Sequence, residues 1–337
     1  MPFLPSTSRR HFLQAASAGA VAAAGLAHAH VAGANDNAGL AGSETNVKRL
    51  FEALTPEQKK SVCFDWDHQD KNRGLLRTHI AANWRITKPE LASDYYSKEQ
   101  KQIIREVFEG LVAPDWVERF DKQLKDDSGG FGHDQAIAIF GEPGSGKFEF
   151  VLTGRHMTLR CDGDSADHVA FGGPIFYGHA AEKFNEAPNH PGNVFWHQAV
   201  QANKLYQTFD EKQRKRALLE KAPRESDIAF RGKDTDIPGL PVTEMTPDQR
   251  EKLQAVLKLL IEPYRQSDRD EVTQCVTRQG GLDAFRLVFY QQGDIGGDGV
   301  WDIWRLEGPS FVWHYRGAPH VHTWVNVASD AGVELNA

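Results

Sequence analysis

The stretch "AIAIFGEPGSGKFEFVLTG" (residues 136–154) decides the fold, because Gly141 to Lys147 spell G-x-x-x-x-G-K behind an apolar run. A phosphate-binding loop of that form requires a helix starting at the Lys, whose first amides complete the anion site. It also requires a Ser or Thr next, whose hydroxyl holds Mg²⁺. Here Phe148 follows Lys147, and Phe148, Phe150 and Leu152 alternate with Glu149, Val151 and Thr153. That period of two is a strand pattern. Pro143-Gly144-Ser145-Gly146 therefore reads as the connection of a β-hairpin, and no apolar run ending in Asp follows as a second nucleotide motif. The stretch predicts antiparallel sheet and no nucleotide.

Other short apolar runs extend this reading. "RHMTLRC" (155–161) and "HVAFGG" (168–173) continue the first β block. "FRLVFYQQ" (285–292), "GVWDIWRLEG" (299–308), "SFVWHYRG" (310–317) and "HVHTWVNVA" (320–328) form a second. Between them lie helical blocks. Four of these start with Ser, Thr or Asp followed three residues later by Gln: Thr55–Gln58, Ser97–Gln100, Asp210–Gln213 and Thr246–Gln249. This is capping-box grammar, and its reuse accounts for the recurrence without an internal duplication. Strands and helices come in separate clusters, and no Pro/Gly/Ser linker divides the chain. The expectation is an α+β fold, an antiparallel sheet with helical layers packed against it, in a single domain over residues 46–337.

The first 29 residues are read apart from the fold. Arg9-Arg10, then Phe12-Leu13, a mild Ala-rich stretch and Ala27-His28-Ala29 have the anatomy of a twin-arginine signal peptide. Residues 30–45 are small and polar and read as a disordered leader. The expected location is the periplasm or the exterior, reached through the twin-arginine export machinery, which carries folded proteins. The Ala-rich run is too weakly apolar for a membrane span, so an integral membrane protein is not expected. The net charge of −7 and the absence of a basic stripe argue against nucleic acid. Cys63, Cys161 and Cys275 are far apart and form no C-x-x-C, so at most one disulfide can form.

Among 14 histidines the setting of "HYRGAPHVHTW" is the informative one. His320 and His322 sit one residue apart in a strand, so both leave the same face about 7 Å apart. Two imidazoles so placed can share a metal. His314 lies on the preceding strand. A two-residue turn would face it away from the pair, whereas a loop one residue longer would set it opposite His322, and the register stays open. His156, at the start of a strand in the first β block, is the candidate third ligand from a distant part of the sheet. Zinc, copper, iron and manganese all suit three imidazoles with an open position. His179, Glu149 and Asp302 could complete a shell. Trp301, Trp304, Trp313 and Trp324 could line an aromatic pocket, although core packing explains them as well.

In order along the chain, "LTPEQ", "SKEQKQIIREVF", "FGEPG", "TGRHM", "GPIFYG", "WRLEGPSFVWHY" and "PHVHTW" resemble the bacterial family known as domain of unknown function 3500. The likeness runs over roughly residues 46–328. Arg155 stands where that family has the first His of a G-H-H strand, Pro319 where it has Asn, and His314 where it often has an acid. The resemblance implies that His156, His320 and His322 belong together. It brings no reaction with it. The resulting expectation is an exported metal-binding protein, favoured as a metalloenzyme of hydrolytic or oxidative type acting on an unknown small molecule. The alternative is a periplasmic binding protein without turnover.

Overall fold

Lys147 is followed by a strand. In a computed structural model of the protein, which describes residues 42–163, 169–180, 194–233, 235–294 and 300–333, Ala136–Gly141 and Phe148–Gly154 pair as an antiparallel hairpin. Gly141 has φ +70°, and a Cβ there would meet the Lys147 carbonyl oxygen at 2.0 Å, so the turn demands glycine. The motif's first Gly thus serves a hairpin.

The helices are α1 (Gly42–Ala53), α2 (Pro56–Val62), α3 (Lys98–Leu111), α4 (Val117–Ser128), α5 (Trp196–Tyr206), α6 (Glu211–Ala217), α7 (Pro247–Ile261) and α8 (Gln266–Arg278). The strands are β1 (Cys63–Phe64), β2 (Gln69–Asp70), β3 (Gly74–Leu75), β4 (Ala136–Gly141), β5 (Phe148–Gly154), β6 (Met157–Cys161), β7 (Ile175–His179), β8 (Leu218–Leu219), β9 (Leu240–Pro241), β10 (Arg286–Tyr290), β11 (Ile303–Gly308), β12 (Phe311–Arg316) and β13 (Val321–Val327). Eleven strands form one sheet in the order β1-β4-β5-β6-β7-β13-β12-β11-β10-β8, with β9 on β10. The fold is α+β as expected, but the sheet is mixed. β1 runs parallel to β4 and β8 parallel to β10, because each short edge strand follows directly from a helix and not from a hairpin.

Two further differences concern ends of elements. The segment "HVAFGG" does not form a strand: Val169 makes only a bridge to Ala328, and Ala170–Gly172 is a 3₁₀ turn with Phe171 at φ +60°. The strand of this region starts at Ile175, after Pro174. At the other end, α1 begins at Gly42, so the last four positions of the expected leader are helical. Ser43 is buried against the Val107 carbonyl, and Glu44 pairs with Arg265 at 2.6 Å. Residues 1–41, on which the expected signal peptide falls, lie outside the described residues.

The helices cover one face of the sheet. Ile137, Phe150, Leu159, Tyr177, Trp304, Trp313 and Val325 pack there with Leu50, Phe108, Leu124, Val256 and Leu260 from the helices. The other face is covered by irregular chain. Leu76, Trp84 and Ile86 close over Ala136, Ala138, Phe140 and Val151, and Ile80 and Ile228 close over Phe176, Val312 and Trp324. With both faces covered, the strands are buried throughout. Trp304 and Trp313 are core residues on the helical side, against Tyr315 and Phe311, and Trp301 packs half-buried at its margin against Tyr206. Cys63, Cys161 and Cys275 are free thiols.

All four capping boxes form, and their glutamines have a second task. Gln58 and Gln100 join α2 to α3 by reciprocal amide hydrogen bonds of 3.0 and 2.8 Å, and Gln213 and Gln249 join α6 to α7 by two of 2.9 Å. Only an amide both donates and accepts, which is why these boxes carry Gln and not Glu. The strand order repeats in the same way. Reading β1-β4-β5-β6-β7 inward from one edge matches β8-β10-β11-β12-β13 from the other, and Cys63↔Ile139 on the first edge corresponds to Leu218↔Phe289 on the second. The two halves meet in the antiparallel pair β7·β13, where Ile175 faces Val325. Capping grammar alone cannot produce matching strand order and register. The chain is built from one repeated unit, contrary to the simpler reading of its sequence.

Candidate metal centre

β5 passes into β6 through Arg155 and His156, and His156 has φ +54°. A non-glycine residue in that region costs on the order of 1 kcal/mol and needs support from its surroundings. Support comes from both sides: the His156 amide donates to the Ala82 carbonyl, and its carbonyl accepts from the Gly178 amide, each at 3.1 Å. The strained turn aims the imidazole past the end of β7 toward β13. There, His322 projects from the strand face opposite the helices, and His320 lies just before the strand.

Three imidazoles converge at this point. His156 Nε2 lies 3.1 Å from His320 Nε2, which lies 3.0 Å from His322 Nε2. The ring centroids form a near-equilateral triangle with sides of 4.9, 5.0 and 4.8 Å. Nitrogens at ~2.05 Å around a tetrahedral ion sit ~3.3 Å apart, so the triangle has nearly the size such an ion requires. All three residues are buried, and among the described residues they are the one group of three or more His, Cys, Asp or Glu able to hold a metal ion.

The outer ring nitrogens are fixed by carboxylates. Asp127, at the end of α4, accepts from His156 Nδ1 at 2.7 Å, from the Ala180 amide at 2.9 Å and from Gln123 Nε2 at 2.9 Å. Glu225 accepts from His322 Nδ1 at 2.9 and 3.0 Å and from the Trp324 indole at 3.3 Å, and Arg316 lies 3.4 Å from it. Burial alone would raise the pKa of both acids. For Asp127 the hydrogen bonds, that from His156 foremost, outweigh it and hold the carboxyl below its usual range. For Glu225, His322 and Arg316 bring it down to about 2. Burial in turn pushes His322 down to about 3, against the pull of Glu225. The pair is therefore a neutral imidazole donating Nδ1–H to a carboxylate, which leaves the Nε2 lone pair facing inward. Carboxylates in this position set the tautomer of metal-binding histidines. Lone pairs converging at 3 Å repel unless a cation, a proton or a metal ion, stands between them. The donor set, all imidazole nitrogen, suits transition ions of the zinc, copper and iron type over calcium or magnesium.

His314 is not brought into this group. Arg316 pairs with His322 and His314 with Trp324, so the connecting loop is longer than either length weighed from the sequence. His314 shares the face of His322 but is displaced along the strand, and its Nδ1 accepts from Arg305 Nε at 3.3 Å. Burial and Arg305 hold it neutral. His179 points to the helical side, 3.2 Å from Asp126 Oδ2. Glu149, at the far end of β5, is paired with Arg160 at 2.8 Å. Asp302 accepts the Gly317 amide through its backbone carbonyl. Of the four tryptophans, Trp324 alone reaches the centre, through Glu225.

Asp127 and Glu225 were not evident as site residues in the sequence. For Asp127 a signal exists: Phe120, Gln123 and Leu124 are the buried face of α4, and Asp127 continues that stripe. It also places a negative charge in the last turn, where the helix dipole disfavours one. Nothing in "RESD" marks Glu225. The repeated unit adds a comparison. His156 stands two residues beyond Gly154 of β5, and its counterpart two residues beyond Gly308 of β11 is Ser310, held by Gln279. Counting back from the central pair, His322 and His320 correspond to Gly172 and Ala170. The triad takes His156 from the first half and His320 and His322 from the second, and none of the three has a histidine at its counterpart.

A family model described as "Protein of unknown function (DUF3500)" matches residues 38–330, nearly the whole chain. No curated protein and no solved structure matches it. Among the described residues no helix is long and apolar enough to cross a membrane.

Proposed function

The chain belongs to the DUF3500 family, and we propose that it is an exported metalloenzyme whose His156–His320–His322 centre binds one transition ion. One observation carries this reading: the ligand nitrogens of three imidazoles converge within 4.8 Å of one another, His320 Nε2 within 3.1 Å of both others, while two of the rings are fixed from behind by Asp127 and Glu225. A three-histidine ion with an open position supplies Lewis acidity and lowers the pKa of bound water, which suits hydrolysis, and a redox-active ion would suit oxidation. The chain's own part is orientation. Asp127 and Glu225 hold the tautomers, the Trp324 indole donates to Glu225, and Phe176 packs edge-on against His322 at 5.1 Å between centroids. The twin-arginine anatomy of residues 1–29 supports export in the folded state, the route suited to a protein loaded with its ion before crossing. The substrate would be a small molecule.

A periplasmic binding protein without turnover draws on a different observation. Both carboxylates that reach the triad are engaged with imidazole Nδ1 atoms, which leaves neither as a ready general base. Elemental analysis of the protein purified from its native compartment tests the centre itself. About one equivalent of a transition metal is expected in the wild type and essentially none in His320→Ala/His322→Ala. Equal metal in both would eliminate the centre.

A further inference from the structure

Next to the centre stand two arginines, Arg316 half-buried and Arg305 fully buried, whose hydrogen bonding is incomplete. Arg316 of β12 is the direct ladder partner of His322, so the two side chains leave neighbouring strands on one face with Cβ atoms ~5 Å apart. Among the described residues its one ionic contact is Glu225, at 3.4 Å, which already serves His322 and Trp324. Its Nε is buried and has no hydrogen-bond partner. One strand further, on the same face, Arg305 is fully buried. It makes two contacts of 3.3 Å, to His314 and Glu307, and its Nη2 is unpartnered.

The repeated unit supplies an internal control. Arg160 of β6, at the counterpart of His314, is equally buried, yet every one of its guanidinium nitrogens donates. The acceptors are the carbonyls of Pro174, Arg77 and His79 and the carboxylate of Glu149. This fold can therefore satisfy a buried arginine completely when its role is structural. Unmet N–H groups on a buried cation cost on the order of 1–3 kcal/mol each, and a guanidinium is the side chain suited to a planar or tetrahedral oxyanion. The protein carries net charge −7, so an anionic ligand would need such a local cation.

Resting on the metal-centre reading above, we propose that the ligand of this centre is an oxyanion, a carboxylate or phosphate, whose charged group is bound by Arg316 while another of its atoms takes the open position on the ion. Arg305 extends the same positive strip behind His314.

The test uses full-length protein loaded with Co²⁺, whose visible spectrum reports ligands at the open position. Acetate and inorganic phosphate are titrated as anionic probes, and 1,2,4-triazole as a neutral one, into wild type, Arg316→Gln and Arg316→Lys. The expected result is one cobalt per chain in all three and unchanged triazole affinity. Acetate or phosphate should bind at least tenfold more weakly to Arg316→Gln, with Arg316→Lys in between, and whichever anion loses more identifies the class. Equal anion affinity in wild type and Arg316→Gln overturns the proposal. So does loss of triazole affinity in parallel, or loss of cobalt, since Arg316 would then act only through Glu225. Wild-type protein that takes up no cobalt overturns the metal-centre reading, a failure visible before any anion is added.

Discussion

Asp127→Asn is the most informative single substitution, because it keeps shape and removes charge at one defined place. The side chain is fully buried and accepts three donors: His156 Nδ1 at 2.7 Å, Gln123 Nε2 at 2.9 Å and the Ala180 amide at 2.9 Å. An asparagine offers one oxygen, so its NH₂ must face at least one of those donors. If it faces His156, the ring is driven to the tautomer with the proton on Nε2, the atom that points at the other two imidazoles. A lost charge-assisted hydrogen bond is worth ~1.5–3 kcal/mol, which corresponds to metal binding about 10- to 150-fold weaker. Outer-shell substitutions at metal centres fall in a similar range, about 10- to 100-fold. Competition against a chromophoric chelator gives the zinc affinity directly, and the melting temperature of the metal-free protein checks the fold. Asp126→Asn is the control, since Asp126 contacts Lys122 and His179 and not the triad; its affinity should match wild type. A zinc affinity for Asp127→Asn within threefold of wild type would refute the reasoning.

Phe148→Ser completes the phosphate-loop motif on paper. Because Phe148 is 2% exposed and opens a core strand, the variant should lose about 3–5 kcal/mol, as for large-to-small core substitutions, in a denaturant titration and gain no Mg-ATP binding. Nucleotide binding would contradict the hairpin. Acid should destabilise the metal-free protein over a defined range. His322 titrates near pH 6.5 when unfolded but is held down to about 3 when folded, so the folded state binds fewer protons and stability falls as pH drops from about 6.5 toward 3. Glu225, held down to about 2, adds a further loss below about 4.5. The melting temperature of metal-free His322→Gln should therefore depend less on pH between 6.5 and 3 than that of wild type, and an equal slope would show that His322 is not the group responsible.

Local chemistry settled much of this protein in advance. Phe148 and the alternation after it excluded a phosphate loop and fixed a hairpin, because strand period and the missing hydroxyl are properties of adjacent residues. The four capping boxes were legible for the same reason. The spacing of His320 and His322 brought the two imidazoles together, although His320 lies just before the strand and not in it, and the resemblance of "TGRHM" and "PHVHTW" to family motifs joined His156 to them. Properties that depend on register across distant strands were not legible. The length of the loop after Arg316 places His314 beside Trp324 and Arg305, outside the triad. The repeat was hidden because its two halves agree in strand order, cap and register while their side chains differ, as at His156 and Ser310. Asp127 and Glu225 reach the triad from a helix end and from irregular chain, 29 residues from His156 and 97 from His322. The sequence by itself determined which imidazoles belong together. Only the tertiary structure decided that carboxylates stand behind two of them and an unsatisfied guanidinium beside them, because those contacts are made between segments that share no local period.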